Sequence, residues 1–364
     1  MIVLTFIYIL YFLLIFAILY QKLSYSEDKE MTNRKKRILV LATGGTIASR
    51  ESDEGLVPAL DINNLFAQVT GLNANYDITA KDILHLDSSN IQPEEWKLIA
   101  THIYNSCHDY DGIVVTHGTD TMAYTASVLS FMLQNVPIPV VLTGSQLPIL
   151  HPLTDAMDNI RCAFAMAATS LPGIFLAFNR KVILGCRAVK VRTTGFDAFE
   201  SVNCRYVATI DSNGLNINHK LLPKSNGEFV LKDSVCSDVF LIKLTPGLNP
   251  AIFDMLLEMN YKGIVIEAFG AGGLHFIHRD LISQLQKLVD HNIPVVVSSQ
   301  CLYERSDLSI YQAGQKALEK GVIQAYDMTT EAAVTKLMWS LGQTSDLETI
   351  RTLFSTNLVG EIKL

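Results

Sequence analysis

No two of the six cysteines, at positions 107, 162, 186, 204, 236 and 301, stand close enough to form a Cys-x-x-Cys pair. That spacing excludes the paired-cysteine zinc and thioredoxin-like motifs. In a chain of 364 residues it favours buried, reduced thiols over a disulfide framework. Basic excess is also missing, since charged residues make up 18% and the net charge is −7. Lys22 and Lys29 against Glu27, Asp28 and Glu30 give the first thirty residues −1, which leaves −6 for the remainder. A mildly acidic body without a basic stripe argues against a nucleic-acid partner. The glycine pair at 44–45 is not followed by Gly-Lys-Ser/Thr, so it is no phosphate loop.

Charge and proline are absent from residues 2–20 as well. Such a run supports ~30 Å of helix, the thickness of a hydrocarbon core. It has no basic residue before it and no Ala-x-Ala after it, unlike a cleaved signal peptide. Lys22, Lys29, Arg34, Lys35, Lys36 and Arg37 follow, so an anchor here would leave the body in the cytoplasm. The alternative is a soluble chain starting at Met31, with the upstream residues an extension from a mis-called start. Both readings give a cytoplasmic location, membrane-anchored only if residues 1–20 are a real anchor.

What is present is a large apolar fraction, 49%, enough for two α/β domains. Short runs at 38–42, 113–116, 140–143, 174–177, 240–244, 264–267 and 295–298 read as buried strands of parallel sheets. Helical stripes lie between them: Trp96, Ile99, Ile103 and Cys107 after Pro93; Met122, Ala126, Leu129 and Leu133; Leu281, Leu285, Leu288 and Val289. Ser345 with Glu348 predicts a capping box at the last helix. Strand–helix alternation predicts a doubly wound α/β fold. A polar stretch divides it, giving an N-terminal segment 1–36, a first domain 37–215, a linker 216–237 and a second domain 238–364.

Two constellations follow predicted strands. In Leu41-Ala-Thr-Gly-Gly-Thr-Ile-Ala-Ser49, Gly44 and Gly45 permit a sharp turn that presents the hydroxyls of Thr43 and Thr46 at the carboxyl end of the sheet. In Val114-Val-Thr-His-Gly-Thr-Asp-Thr-Met-Ala-Tyr124, Thr119 and Asp120 fall at the same end. Helix capping explains either residue alone; the co-occurrence of both motifs points to a site.

Thr-Gly-Gly-Thr-Ile-Ala and His-Gly-Thr-Asp-Thr-Met-Ala-Tyr resemble the two signatures of bacterial-type L-asparaginases. Leu86-Asp-Ser-Ser-Asn90, Leu142-Thr-Gly-Ser-Gln146, Gly195-Phe-Asp-Ala-Phe-Glu-Ser-Val-Asn203 and Ser299-Gln-Cys301 agree, and the details resemble the type I, cytoplasmic branch. The resemblance implies a two-domain fold with a larger N-terminal and a smaller C-terminal domain, each a parallel sheet flanked by helices. It implies hydrolysis of L-asparagine to L-aspartate and ammonia through a threonine nucleophile and an acyl-enzyme. No cofactor or metal is implied. The expected assembly is a homodimer or homotetramer with sites completed across a subunit interface. Thr46 matches the nucleophile, and Thr119, Asp120 and Lys190 match a second triad in which Lys190 activates Thr119 or a water. Asp87, Ser88 and Ser89 match the grip on the amino acid's α-groups, while Gly118, Thr119 and Asp120 complete the substrate site.

Those roles are chemically coherent. A threonine hydroxyl needs a base or a pre-organised site, and a lysine serves as base only where burial or neighbours favour its neutral form. Arg187-Ala-Val-Lys-Val-Arg-Thr-Thr-Gly195 is a strand-like basic stretch whose ordinary explanation is a solvated basic face; the nine-residue spacing from Lys190 to Phe199 is what fits the family. His117 reads as a packed polar residue, His275 and His278 as a surface loop, and Phe269 to Gly273 lacks the third glycine of a dinucleotide loop. Some type I enzymes, which asparagine can activate allosterically, carry an arginine where this chain has Glu267. The family's usual tyrosine on the mobile loop after the first motif is replaced by Leu56, and Tyr311 is the candidate accessory hydroxyl. Alternatives are a broader glutaminase-asparaginase, the asparaginase-like subunit of a tRNA amidotransferase (which carries an additional N-terminal β-domain), and a catalytically inactive, membrane-anchored amino-acid sensor.

Overall fold

The computed structural model describes residues 34–52, 55–58, 69, 71–223 and 227–363, and for 48–52 and 55–58 the backbone only. The apolar segment 2–20, Met31 and the side chain of Leu56 lie outside the described residues; among those described, no helix is long and apolar enough to cross a membrane.

The first part of the chain contains β1 (Lys36–Gly44), β2 (Ser49–Ser52), β3 (Gly55–Pro58), α1 (Leu72–Asn75), β4 (Tyr76–Leu86), α2 (Pro93–Ser106), β5 (Gly112–Thr116), α3 (Met122–Met132), β6 (Pro139–Thr143) and α4 (Ala156–Ala167). It continues with β7 (Gly173–Phe178), β8 (Lys181–Leu184), β9 (Ala188–Lys190), β10 (Phe199–Ser201), β11 (Ala208–Asp211) and β12 (Gly214–Ile217). Among the described residues the main sheet has the order β12-β11-β8-β7-β6-β5-β1-β4. The core of it, β4, β1, β5, β6 and β7, is parallel. The far edge departs from the expected parallel arrangement: β8, β11 and β12 are antiparallel, and the turns that join β7 to β8 and β11 to β12 are too short for a crossover helix.

Burial on both faces explains why these strands read as continuous apolar runs. Along β1, Ile38 and Val40 enter one core while Leu39 and Leu41 enter the other. Helix α4 covers the first face through Ile160, Ala163 and Phe164; α2 and α3 cover the second through Trp96, Ile99, Met122, Ala126 and Leu129. Pro93 stands at the first turn of α2, where Glu95 accepts from the Gln92 N–H at 2.8 Å.

The smaller domain runs β13 (Val239–Lys243), α5 (Ala251–Glu258), β14 (Gly263–Ala268), α6 (Leu281–Asp290), β15 (Val295–Ser299), α7 (Gln312–Glu319), β16 (Ile323–Gln324), α8 (Thr330–Gln343) and α9 (Leu347–Ser355). Its four strands are parallel in simple order. One face packs α5 and α6; on the other, Val265 and Val296 share a core with Ala332, Ala333 and Leu337 of α8 and with the first domain. The cap of α9 differs from expectation. The helix starts at Leu347, so Asp346 is the N-cap and accepts from the Thr349 N–H at 2.8 Å, while Glu348 pairs with Arg351 at 3.1 Å instead of reaching back. A carboxylate suits that end of the helix dipole better than the Ser345 hydroxyl.

Two buried ion pairs fasten the C-terminal segment to this body. Lys336 and Glu361 are both fully buried and bonded to each other. Lys336 also donates to the Thr356 carbonyl at 3.0 Å, and Glu361 accepts the backbone N–H groups of Leu358 and Val359 at 2.8–3.1 Å. Burial pushes the Lys336 ammonium downward against the opposing pull of Glu361. Arg187 and Asp327 form the second pair at 3.0 Å. Lys336→Met should cost about 3–5 kcal/mol in urea unfolding, because it strands a buried carboxylate. Adding Glu361→Leu should restore most of that loss, and a double variant as unstable as the single one would contradict this account of the pair.

Candidate active site

Strand order reverses at β1, whose neighbours are β4 and β5. A crevice opens at the carboxyl ends of strands at such a switch point. The ends of all three strands carry polar loops, and glycines let those loops meet. Gly44 has φ 105° and Gly45 φ 83°. A Cβ on Gly45 would lie 2.5 Å from the Gly118 nitrogen, one on Gly44 2.5 Å from the Leu86 oxygen, and one on Gly118 2.5 Å from Ser88 Oγ. Any side chain at these positions would force the loops apart.

Thr46 opens a 3-10 turn, Thr46–Ala48, and is partly exposed; the Ile149 N–H binds the turn through the Ile47 carbonyl at 3.2 Å. Thr43 does not face the crevice as expected. It is 1% exposed and donates to the Thr116 carbonyl at 2.9 Å, tying β1 to β5. Asp87 caps the turn Ser88–Asn90 and accepts from the Ser89 N–H at 2.8 Å and its hydroxyl at 2.5 Å. These bonds hold the Asp87 carboxyl below its ordinary value. Asp87 and Ser89 are both exposed. Ser88 is buried and engaged within the protein, its oxygens accepting from the Asp120 N–H at 3.2 Å and the Thr121 hydroxyl at 2.7 Å.

The structure brings Thr119, Asp120 and Lys190 together. Lys190 Nζ donates to Thr119 Oγ1 at 2.8 Å and to Asp120 Oδ1 at 2.6 Å. The Lys190 side chain is 18% exposed and that of Asp120 61%, so the pair sits at the rim between sheet and solvent. Lys190 ends β9, paired with Phe199 of β10, and the strand begins directly after Arg187. Arg187 is not part of a solvated basic face: it is 1% exposed, donating to the Gly360 carbonyl at 2.8 Å and to Asp327.

Gln146 is a site neighbour that the sequence did not single out. Its side-chain oxygen accepts from the Thr119 hydroxyl at 3.3 Å, and its nitrogen donates to the carbonyls of Thr193 and Gly195, both at 3.1 Å. It was visible only as the last residue of Leu142-Thr-Gly-Ser-Gln146, with no local pattern to mark its side chain. Tyr311 is 62% exposed at the start of α7, and the hydrogen bonds joining Thr119, Asp120, Lys190 and Gln146 do not include it. Glu267 lies near the end of β14, paired with Lys243 at 3.3 Å and accepting from Thr330 at 2.6 Å.

These are two threonines at the ends of adjacent strands, a lysine bonded to a hydroxyl and a carboxylate, and an Asp–Ser pair beside them. The chain matches the family model for the N-terminal asparaginase domain over residues 37–223 and that for the glutaminase/asparaginase C-terminal domain over residues 238–354. The chain belongs to the asparaginase family. It is 45% identical to an L-asparaginase of Thermococcus kodakarensis, over 90% of this chain and 99% of that protein. Against L-asparaginase 1 of Escherichia coli the identity is 34%, over 90% and 98%. The solved structure of the thermostable Thermococcus kodakarensis L-asparaginase superimposes with a TM-score of 0.85 over 90% of this chain and 99% of its own. That of a probable cytoplasmic L-asparaginase from Campylobacter jejuni gives 0.77 at 28% identity, over 89% and 100%.

His117, within the second asparaginase motif, is fully buried with both ring nitrogens engaged. Nδ1 faces the Gly118 carbonyl at 2.7 Å and Nε2 faces Thr125 Oγ1 at 2.9 Å, while the Trp96 indole donates to that same hydroxyl at 3.1 Å. A carbonyl only accepts, so Nδ1 carries the proton and Nε2 accepts. Burial pushes His117 down to about 4. The folded value lies below the unfolded one, so its stabilising effect is present above about pH 6.5 and lost as pH falls towards 4. His117→Gln should remove that component. The decline in urea midpoint between pH 7 and pH 4.5 should be smaller in the variant, and equal declines would count against it.

Proposed function

We propose that this chain hydrolyses L-asparagine to L-aspartate and ammonia. The observation that carries the reading is Lys190 Nζ within hydrogen-bond distance of both Thr119 Oγ1 and Asp120 Oδ1, beside the Gly-Gly-Thr turn. In this reading Thr46 attacks the carboxamide carbon. The C–O bond forms, the C–N bond breaks, and ammonia leaves with the threonine proton. Water then adds to the acyl-enzyme, restores the Thr46 hydroxyl and releases a carboxyl group. Lys190, with Asp120, activates Thr119 or the water. Gly118 and Thr119 supply donors to the oxyanion, each such donor being worth ~3 kcal/mol. Asp87, Ser88 and Ser89 take the α-ammonium and α-carboxylate, selecting a free amino acid over a peptide.

We propose a cytoplasmic homodimer or homotetramer, with the linker at 216–237 dividing domains 37–215 and 238–364. Large apolar residues are exposed on the loops beside the site: Leu150 (56%), Leu153 (73%) and Phe196 (43%). In the smaller domain Ile310 (58%) and Tyr311 (62%) are exposed as well. A second copy covering these surfaces would hide apolar area and bring Tyr311 towards a partner's site.

Ammonia release from asparagine and from glutamine tests the reading. Thr46→Ala and Thr119→Val should each lower turnover on asparagine at least ~100-fold while leaving the melting temperature near that of the unsubstituted protein. Near-normal turnover in either variant would remove that residue from the chemistry. Tyr311→Phe takes away only a hydroxyl. It should lower kcat ~10–100-fold with little change in KM if that hydroxyl reaches a nucleophile across the interface. An unchanged kcat would leave Tyr311 an interface residue and nothing more.

A further inference from the structure

We propose that Gln146 is a positioning residue for the Thr119 hydroxyl, acting through the acceptor half of its side-chain amide. The inference rests on the reading of Thr119 and Lys190 as catalytic, and adds a third group to them. The orientation of the amide is fixed by its surroundings. Two backbone carbonyls, of Thr193 and Gly195, lie 3.1 Å from one end of the amide, and a carbonyl can only accept. That end is the nitrogen, and both of its protons are committed. The other end, the oxygen, therefore faces Thr119 at 3.3 Å and can only accept from it.

This determines what Thr119 does with its single proton. Lys190 Nζ, 2.8 Å away, occupies one lone pair of Thr119 Oγ1 as a donor. The hydroxyl proton goes to Gln146. One lone pair is left, and it can accept a hydrogen bond from a group arriving in the crevice. Without Gln146 the hydroxyl is free to turn its proton into the crevice, where it would compete with the donor it has to receive. The backbone of Gln146 holds the side chain in place. Its N–H donates to both carboxylate oxygens of Asp155 at 3.1 Å, and Asn159 donates to that carboxylate at 2.9 Å and to the Gly144 carbonyl at 2.9 Å. The same amide thereby spans the β6 loop, the second motif and the loop that follows Lys190.

Two substitutions separate the halves of the amide. Gln146→Met loses donor and acceptor together; Gln146→Glu keeps the acceptor oxygens and loses the donors to residues 193 and 195. Both are assayed in the full chain as ammonia release from asparagine across pH 6–10. Gln146→Met should lower kcat ~10–30-fold with KM changed less than ~3-fold. Gln146→Glu should keep kcat within ~3-fold at its own optimum. A purely structural brace for the 193–195 loop predicts instead that both variants are equally slow at every pH, and that result overturns the proposal. So does an unchanged kcat in Gln146→Met. If Gln146→Met does not fold, Gln146→Glu decides alone: a retained plateau supports the proposal, and a plateau lowered ~10-fold or more overturns it. Thr119→Val is run alongside. Full activity there sinks the underlying reading and this one with it, whereas an inactive Thr119→Val beside a fast Gln146→Met sinks only the role of Gln146.

Discussion

Three loops meet at one end of the large sheet, and they meet because neighbouring atoms pack where a Cβ on their glycines would otherwise stand. Gly45 lies against Gly118, Gly44 against Leu86 and Gly118 against Ser88, each closer than any side chain allows. That approach places the turn beginning at Thr46, the Asp87–Ser89 pair and the Thr119–Asp120 pair around one crevice. The hydrogen bond from the Gly45 N–H to the Leu86 carbonyl, 3.0 Å, and that from the Asp120 N–H to Ser88 fix the contacts once made. The buried hydroxyl of Thr43 belongs to this framework: it ties β1 to β5 and leaves its neighbour Thr46 free for a ligand.

Lys190 comes to the crevice from a different direction, and its support is ionic. It ends a three-residue strand that follows a buried arginine. Arg187 reaches across to Asp327 and Gly360, so the lysine is held by the smaller domain and the C-terminal segment as well as by its own. An arginine suits this role because its planar fork satisfies two carbonyls and a carboxylate at once. In the asparaginase fold seen here the two domains are therefore joined at the point from which the lysine projects.

Much of this could be read from the residues alone, and the exceptions have physical causes. β1, β5, β6 and β7 were legible because strands covered on both faces are apolar at nearly every position. β4 was not, since alternate residues along this edge strand are exposed and its polar positions break the run. The two signatures exposed Thr119 and Asp120, and Lys190 followed from its spacing to Phe199. The direction of a hydroxyl was not legible: Thr43 and Thr46 lie three residues apart around a Gly-Gly turn, and only the backbone path sends one into the sheet and the other out of it. Nor was Gln146, whose partners lie 27, 47 and 49 residues away. Long-range polar contacts leave no local period to detect.

The tie between Arg187 and the end of the chain has a consequence in time. A ribosome delivers residue 187 long before residues 327 and 360, and domains fold as they emerge. The first domain can collapse around its sheet early, but at that stage the guanidinium of Arg187 has neither its carboxylate nor its carbonyl partners. A buried charge without partners is too costly to hold, so this stretch stays open to water until the last residues arrive. The strand bearing Lys190 therefore settles at the close of synthesis, and a chain stopped short of its final residues keeps its threonines and lacks a fixed lysine beside them.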